Sequence, residues 1–199
     1  MIKKILITGG NGFIGQNYID YIDRKNKYKI LNVDTLTSSS DKTAHKRFKN
    51  VDFKKVNLVQ TKKISKIVKN FQPDIIINFA SHSHVDKSIK NSEIFLENII
   101  GTHNLLLLSL DLFKKNKKFK FLQISTDEVF GSIEKGKFYS YSPYKPNSPY
   151  SASKASADHL VRAFNKTYNL PTLITYTCNN FGPYQHLEKL IPLTILSFL

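Results

Sequence analysis

A glycine-rich turn near the N-terminus constrains the fold of this chain more than any other feature. The β-rich apolar run Lys4–Thr8 leads into Gly9–Gly15 (Gly-Gly-Asn-Gly-Phe-Ile-Gly), and a helical pattern follows. Glycines let a backbone turn sharply and approach a pyrophosphate closely, while the free N–H groups of the following helix face it. Such a strand–turn–helix unit predicts a dinucleotide-binding domain.

The rest of the chain alternates short apolar runs with longer helical patterns. Strands are predicted at Lys4–Thr8, Lys29–Val33, Val51–Asn57, Asp74–Phe79, Phe119–Ser125 and Thr172–Thr177, and helices at Gly12–Arg24, Thr61–Phe71, Ser92–Phe113 and Tyr150–Tyr168. Apolar runs such as Ile75–Ile77 are typical of strands covered by helices on both faces. The alternation predicts an α/β fold with a doubly wound parallel sheet of the Rossmann type. A long irregular loop is predicted at Ser132–Asn147.

Length and composition limit the classes of protein to which the chain can belong. Its 199 residues suffice for one domain, and its 41% hydrophobic content excludes a disordered chain. The net charge of +15 would suit a nucleic acid, but the lysines are scattered and no nucleic-acid-binding motif accompanies them. We attribute the charge to a lysine-rich surface, so nucleic-acid binding is the weakest alternative and no nucleic-acid partner is expected.

Export and membrane insertion are not predicted. The apolar stretch Ile5–Ile7 is cut short by glycine, and the run Leu105–Phe113 is interrupted by Ser109 and Asp111. The single cysteine, Cys178, cannot form an intrachain disulfide, which fits a reducing compartment. A cytoplasmic protein with no membrane partner is expected.

An acidic residue, Asp34, follows the second predicted strand, where a ribose-binding carboxylate is expected in such domains. A carboxylate there accepts hydrogen bonds from ribose hydroxyls and repels a 2′-phosphate, so NAD is predicted rather than NADP. The alternative is a glycine turn that only needs positive φ, with Asp34 as a strand-end cap.

Several further residues follow predicted strands, and the carboxyl ends of parallel strands share one edge of a sheet. They are Asn57, Ala80–Ser83, Thr126, Asp127, Glu128 and Asn179–Asn180. A helix that starts with Tyr150 and Lys154, four residues apart and so on one face, comes after the fifth strand. A common site at this edge is therefore predicted.

The residue types predict redox and acid/base chemistry together. A lysine ammonium and a nicotinamide charge would lower the pKa of Tyr150, so that it accepts a proton from a sugar hydroxyl as hydride leaves the same carbon. Asp127 and Glu128 point in different directions from an extended backbone and could reach two atoms of one ring. The alternatives are a chance Tyr-x-x-x-Lys at a helix start and a solvated Asp-Glu turn.

Four segments resemble the dTDP-glucose 4,6-dehydratase family of extended short-chain dehydrogenase/reductases. They are Ser125–Gly131, Ser148–Lys154, Asn179–Tyr184 and Glu188–Pro192, and Ser83–Ser88 fits as well. The resemblance implies that Tyr150 is the base at the C4 hydroxyl, that Lys154 binds the nicotinamide ribose, and that Thr126 bonds the same hydroxyl. It also implies that Asp127 protonates the departing C6 hydroxyl and that Glu128 removes the C5 proton, after which hydride returns to C6.

The resemblance also implies the binding residues and partners. NAD would contact Gly9, Gly12, Phe13, Ile14, Gly15, Asp34, Thr35, Leu36, Thr37, Asn57, Leu58, Phe79, Ala80, Ser81, Ser83, Tyr150, Lys154 and Asn180. The substrate, a nucleotide-diphosphate sugar with dTDP-glucose favoured, would contact Ser83, Thr126, Asn179, Lys189 and Leu190. A homodimer is expected through the helices Ser92–Phe113 and Tyr150–Tyr168.

Some residues depart from the family pattern. Asn57 stands where an aspartate near adenine is usual, His82 where an acidic residue is more common, and Ser38–Ser40 where a Tyr-Ala-Gly-like stretch is expected. His82 and His84 have no further ligands at metal spacing, so no metal is predicted.

The end of the chain predicts an incomplete substrate-binding region. We expect an NAD-binding domain at residues 1–180 and the start of a substrate-binding region at 181–199, where the apolar stretch Leu190–Leu199 needs a partner. The chain is thus predicted to be a fragment with weak or absent turnover. Open alternatives are a UDP- or CDP-sugar dehydratase, a C4 epimerase, a UDP-glucuronate decarboxylase, or a non-catalytic nucleotide-binding module.

Overall fold

The fold is a single parallel sheet between helices. The computed structural model describes residues 2–37, 39–83, 89 and 91–198. The strands are β1 (Lys3–Thr8), β2 (Tyr28–Asp34), β3 (Val51–Lys55), β4 (Ile75–Asn78), β5 (Lys120–Thr126) and β6 (Thr172–Thr177). The α-helices of the described residues are α1 (Phe13–Asp23), α2 (Thr61–Phe71), α3 (Leu96–Lys115), α4 (Pro149–Tyr168) and α5 (Leu190–Ser197), with 3-10 helices at Ala44–Lys46, Glu93–Phe95 and Asp127–Phe130.

The strand order is β3-β2-β1-β4-β5-β6, and every neighbouring pair is parallel. The order reverses between β1 and β4, which is the point where ligands bind in doubly wound sheets. The predicted α/β class and the doubly wound parallel sheet are confirmed.

The side chains of β1 show why the strands lack polar alternation. Ile5 and Ile7 pack on one face of the sheet with Ile19 and Ile22 of α1, whereas Leu6 packs on the other face with the cluster that includes Leu105. Both faces are therefore buried, so strand residues must be apolar whichever face of the sheet their side chains point to.

The predicted boundaries differ from the observed ones by a few residues. The strand predicted at Val51–Asn57 ends at Lys55, and the helix predicted at Ser92–Phe113 starts as a 3-10 turn and runs on to Lys115. No helix or strand interrupts residues 132–147, so the predicted irregular loop is confirmed.

Sequence reasoning missed helix α5. Its residues are apolar on every side, so no 3.6-residue periodicity marks it, and Pro192 sits in its first turn, where proline is tolerated. None of its residues is buried, and Leu190 is 79% exposed. In the described part of the chain, no helix combines the length and apolarity that a membrane crossing requires.

The sheet core should dominate the stability of the chain. Phe121 on β5 is fully buried, whereas Leu173 on the edge strand β6 is 60% exposed. We expect Phe121→Ala to lower the free energy of unfolding by about 3–5 kcal/mol in urea titrations, because it removes apolar contacts and leaves a cavity. Leu173→Ala is the matched control and should cost well under half as much; equal losses would contradict this assignment of the core.

Candidate active site

The glycine turn after β1 forms a backbone cradle at the switch point of the sheet. Gly9 has φ +71°, and a Cβ there would lie 2.6 Å from the backbone nitrogen of Ala80. A Cβ on Gly15 would lie 2.3 Å from the carbonyl oxygen of Gly9. Gly12 is the N-cap of α1 and has no side chain to cap the first N–H groups. The cradle therefore offers unshielded helix N–H groups to an anion.

Asp34 is held rigidly at the end of β2. Its Oδ2 accepts from the backbone N–H of Asn11 at 3.0 Å, and its Oδ1 accepts from Leu36 N–H at 2.7 Å and from Ser40 Oγ at 3.1 Å. An ionised carboxylate has about four acceptor positions, so these donors orient Asp34 and leave about one position for a ligand hydroxyl. Leu36 itself serves this turn, with φ 58°.

One cavity of about 750 Å³ runs along the carboxyl edge of the sheet. It is lined by every predicted site residue except Leu36, namely Gly9, Gly12, Phe13, Ile14, Gly15, Asp34, Thr35, Thr37, Asn57, Leu58, Phe79, Ala80, Ser81, Ser83, Thr126, Asp127, Glu128, Tyr150, Lys154, Asn179, Asn180, Lys189 and Leu190. The structure thus brings into one cleft the glycine cradle, the Tyr/Lys pair (Tyr150 and Lys154) and the acid pair (Asp127 and Glu128). His84 and the rest of residues 84–88, like Ser38, lie outside the described residues.

Helix α4 carries the Tyr/Lys pair at its start. The helix is nucleated by Pro149 and by a capping box in which Ser148 and Ser151 bond each other's backbone N–H. Tyr150 and Lys154 are both buried, and Lys154 Nζ donates to the carbonyl oxygen of Ile124 on β5 at 2.6 Å. The ammonium is therefore anchored to the sheet floor.

Burial controls the proton affinities of the pair. It lowers the pKa of Lys154 to about 8, because a buried ammonium loses its hydration. It raises the pKa of Tyr150 well above the usual value; the charge of Glu128 adds to the rise, and a hydrogen bond with Thr126 opposes it. The expectation of a lowered tyrosine pKa is wrong for the protein groups taken alone, because burial and nearby carboxylates outweigh the hydrogen bond from Thr126.

The acid pair lies on the 3-10 turn after β5, not on the extended backbone that we expected. Thr126 caps this turn, and its Oγ1 accepts from the N–H of Glu128 at 3.3 Å. Burial and then the charge of Asp127 raise the pKa of Glu128, and Lys189 opposes the rise. A carboxyl with a raised pKa suits proton transfer near neutral pH. Cys178 hydrogen-bonds Asp127, which raises the thiol pKa.

Glu97 explains two departures from the family pattern. Its Oε2 accepts from Asn57 Nδ2 at 2.9 Å and lies 3.1 Å from His82 Nε2. An aspartate at position 57 would place a second carboxylate against Glu97, whereas the amide donates to it. Burial tends to raise the pKa of Glu97, but the bonds from Asn57 and His82 outweigh it, so the pKa is lowered.

Sequence reasoning missed Glu97 and Asn98, which line the cavity from α3. Asn98 Oδ1 accepts from the N–H of His82 at 2.8 Å, and its Nδ2 donates to Ser153 Oγ on α4 at 2.9 Å. Asn98 therefore couples the loop after β4 to the helix of the Tyr/Lys pair. Neither residue belongs to a motif, and only the crossing of α3 over the sheet places them here.

The fold and the cleft define an extended short-chain dehydrogenase/reductase, with a glycine cradle, a Tyr-x-x-x-Lys pair and an added acid pair. The family model for GDP-mannose 4,6 dehydratase matches residues 6–199, and the chain belongs to that family. The resemblance to dTDP-glucose 4,6-dehydratases stated from the sequence is confirmed by the relatives.

The chain is similar to curated and solved proteins over nearly all its length. The dTDP-glucose 4,6-dehydratase of Haemophilus influenzae is 44% identical over 98% of this chain and 61% of the relative. The solved dTDP-glucose 4,6-dehydratase of Bacillus anthracis, in complex with NAD, is 41% identical with a TM-score of 0.85, over 98% of this chain and 61% of that one. The UDP-glucose 4-epimerase of Thermotoga maritima is 28% identical with a TM-score of 0.81, over 94% and 59%. This chain spans about three fifths of the length of these relatives.

The buried ammonium should make stability depend on pH. Because the folded pKa of Lys154 is about 8 and lies below the unfolded value of 10.5, burial of the charge is unfavourable below about pH 8. The penalty is relieved as the pH rises from 8 to 10.5. We expect the parent to gain stability relative to Lys154→Met, by up to about 3 kcal/mol, as the pH rises from about 7 to about 10. Urea titrations at both pH values measure it, and a pH-independent difference would contradict the assignment.

The hydrogen bonds of Glu97 with Asn57 and His82 lead to a second prediction about the stability of this chain. Asn57→Asp should destabilise it by about 1–2 kcal/mol at pH 7, because the new carboxylate faces Glu97 and loses the amide donor. The loss should diminish near pH 4 as the carboxyls take up protons. Asn50→Asp, at an exposed residue before β3, is the control, and thermal unfolding at both pH values is the measurement. An Asn57→Asp variant as stable as the control would contradict the expected repulsion between the new carboxylate and Glu97.

Proposed function

We propose that this chain is the NAD-binding part of a nucleotide-diphosphate-glucose 4,6-dehydratase that acts on dTDP-glucose. One observation carries the proposal: Thr126, Asp127 and Glu128 line the same cavity as Tyr150, Lys154 and the glycine cradle. The dehydratase identity of the relatives supports it.

The residues of the cleft fit NAD. The pyrophosphate would lie on the uncapped N-terminus of α1 between Gly9 and Gly15, and Asp34 would face the adenosine ribose. Lys154, anchored on Ile124, keeps further N–H donors for the second ribose. When bound, this group would accept a hydride from the sugar and later return it. The Bacillus anthracis relative is an NAD complex, which supports the choice.

The chain's own side chains divide the proton transfers. Thr126 and Tyr150 share a hydrogen bond, so a sugar C4 hydroxyl would be held by both. The positive charge of a bound nicotinamide would oppose the burial that raises the pKa of Tyr150, and Tyr150 as a phenolate would accept the proton of that hydroxyl. Glu128 would take the proton from C5, and its raised pKa makes it a stronger base than an ordinary carboxylate. Asp127 would deliver a proton to the departing C6 oxygen. Loss of water between C5 and C6 would leave a 4-keto-5,6-ene. Return of hydride to C6 and of the proton from Glu128 to C5 would then give a 4-keto-6-deoxy sugar.

The assembly is part of the proposal. Residues 1–180 would form the NAD-binding domain and 181–199 the start of the substrate-binding region, in keeping with a chain that spans about three fifths of its relatives. Exposed apolar side chains on α3, namely Leu96, Ile100 and Leu107, support the expected homodimer. A partner subunit would cover them.

Titration of the chain with NAD+ in a calorimeter tests cofactor binding. We expect binding by the parent, and a loss of at least about tenfold with Gly15→Val, because a branched side chain there collides with the backbone of Gly9. Gly136→Ala, in the irregular loop and outside the cavity lining, is the control: its φ of +98° strains the backbone, but the added Cβ comes no closer to any atom than 3.6 Å, so NAD+ binding should persist. No NAD+ binding by a folded parent would refute the proposal.

Single-turnover experiments with NAD+ and dTDP-glucose separate a dehydratase from an epimerase. Tyr150→Phe should slow NADH formation by about 10²–10⁴-fold, because it removes the base. Asp127→Asn and Glu128→Gln should still form NADH but lose elimination, which mass spectrometry of the sugar detects. An epimerase, the class of the Thermotoga maritima neighbour, would tolerate both carboxyl changes.

A further inference from the structure

Helix α4 contacts strand β5 through three residues spaced four apart. Tyr150 hydrogen-bonds Thr126, and Lys154 donates to the Ile124 carbonyl. Asp158, one turn further, accepts from the hydroxyl of Ser125 at 2.5 Å. Successive turns of one helix face thus hold three consecutive residues of the strand. Tyr150 and Lys154 have proposed roles, whereas Asp158 has none.

Asp158 is a buried carboxylate at the junction of four segments. It is 1% exposed, and besides Ser125 on β5 its Oδ2 accepts from the hydroxyl of Tyr144 in the irregular loop at 3.3 Å. The Tyr144 hydroxyl lies 2.7 Å from that of Tyr176 on β6. Asp158 Oδ1 is buried without a hydrogen-bond partner among the described residues. A carboxylate in this position would be costly unless a charge compensated it.

The compensating charge is Lys154, one helical turn before Asp158. Burial raises the pKa of Asp158 and lowers that of Lys154, and each group opposes this by favouring the charged form of the other. The other titratable groups that act on Asp158 are His159, which favours its charge, and Tyr144, whose hydroxyl bonds it; Tyr150 is affected by its charge. Among the described residues, the Tyr176 hydroxyl hydrogen-bonds that of Tyr144, which in turn bonds Asp158.

The Asp158 carboxylate acts on the Lys154 ammonium without hydrogen-bonding it. In the described part of the chain, the hydrogen-bond partner of Lys154 Nζ is the Ile124 carbonyl, and no carboxylate is within ion-pair distance of it. An ammonium has three N–H donors. A counter-charge that stays beyond hydrogen-bond reach stabilises the cation and leaves two donors for the cavity that Lys154 lines.

We propose that Asp158 is a positioning residue for Lys154: its buried negative charge keeps the lysine an ammonium, anchored on Ile124, with its free donors available to a ligand in the cleft. The inference rests on the proposed function only for the identity of that ligand. Burial alone would drive Lys154 towards its neutral form at physiological pH. Asp158 opposes that loss of charge from one turn behind the reacting groups.

The titration of Lys154 tests the proposal without any cofactor. In protein labelled with ¹³C at lysine Cε, the resonance of Lys154, assigned with Lys154→Arg, should titrate near pH 8. In Asp158→Asn its midpoint should fall by about one pH unit or more, since an opposing charge is lost. Asp52→Asn, at an exposed residue of β3, should leave the midpoint unchanged. An unchanged midpoint in Asp158→Asn would overturn the proposal.

Two further measurements separate charge from packing. Tyr144→Phe removes a hydrogen bond to Asp158 but keeps its charge, so the Lys154 midpoint should stay near that of the parent. A fall as large as in Asp158→Asn would show that the network acts through packing and would sink the proposal. If Asp158→Asn does not fold, the parent decides: the Asp158 ¹³Cγ resonance should step where Lys154 titrates, and a flat curve there is the opposing result.

These outcomes are independent of the proposed function. If the chain binds no NAD+ but the Lys154 midpoint shifts in Asp158→Asn, the role of Asp158 is supported and the proposed dehydratase function is refuted. If the chain binds NAD+ but the Lys154 midpoint does not shift, the cofactor site is supported and the role of Asp158 is refuted.

Discussion

Parallel pairing of all six strands is the constraint on which the rest of the structure depends. Because every strand runs the same way, every strand ends at the same edge, and the loops that follow must share one cleft. Residues as distant in sequence as Gly9, Asp34, Glu128 and Lys189 meet there for that reason. The same pairing requires helices on both faces, which accounts for the apolar strands and for the burial of the cleft's floor.

Burial at the floor of the cleft sets the pKa values of Lys154 and Tyr150. Burial lowers the pKa of the Lys154 ammonium and raises the pKa of the Tyr150 phenol, so both pKa values lie away from their ordinary ones. Their neighbours act against burial: Thr126 bonds the phenol, and Asp158 opposes the loss of the ammonium's charge. A pocket of this kind depends on residues behind the reacting groups as much as on the groups themselves.

Most of the fold and most of the cleft could be predicted because their signals are local. The glycine turn, the apolar strands and the Tyr-x-x-x-Lys spacing each report a backbone requirement within a few residues. Three features could not be predicted, each for its own reason. Helix α5 has no polar face and so no periodicity, and the 3-10 turn of Asp127 and Glu128 depends on the cap that Thr126 provides. The pKa of Tyr150 could not be predicted, because it depends on burial by segments far away in the chain.

The sequence by itself determined the parallel α/β architecture, the dinucleotide cradle and the residue types of the cleft, since these follow from steric needs of short segments. Only the tertiary structure decided that Glu97 sits between Asn57 and His82, that Asn98 joins two walls of the cleft, and that Asp158 lies behind Lys154. Those contacts arise where helices cross the sheet. Burial and charge at such crossings depend on groups that no local pattern brings together.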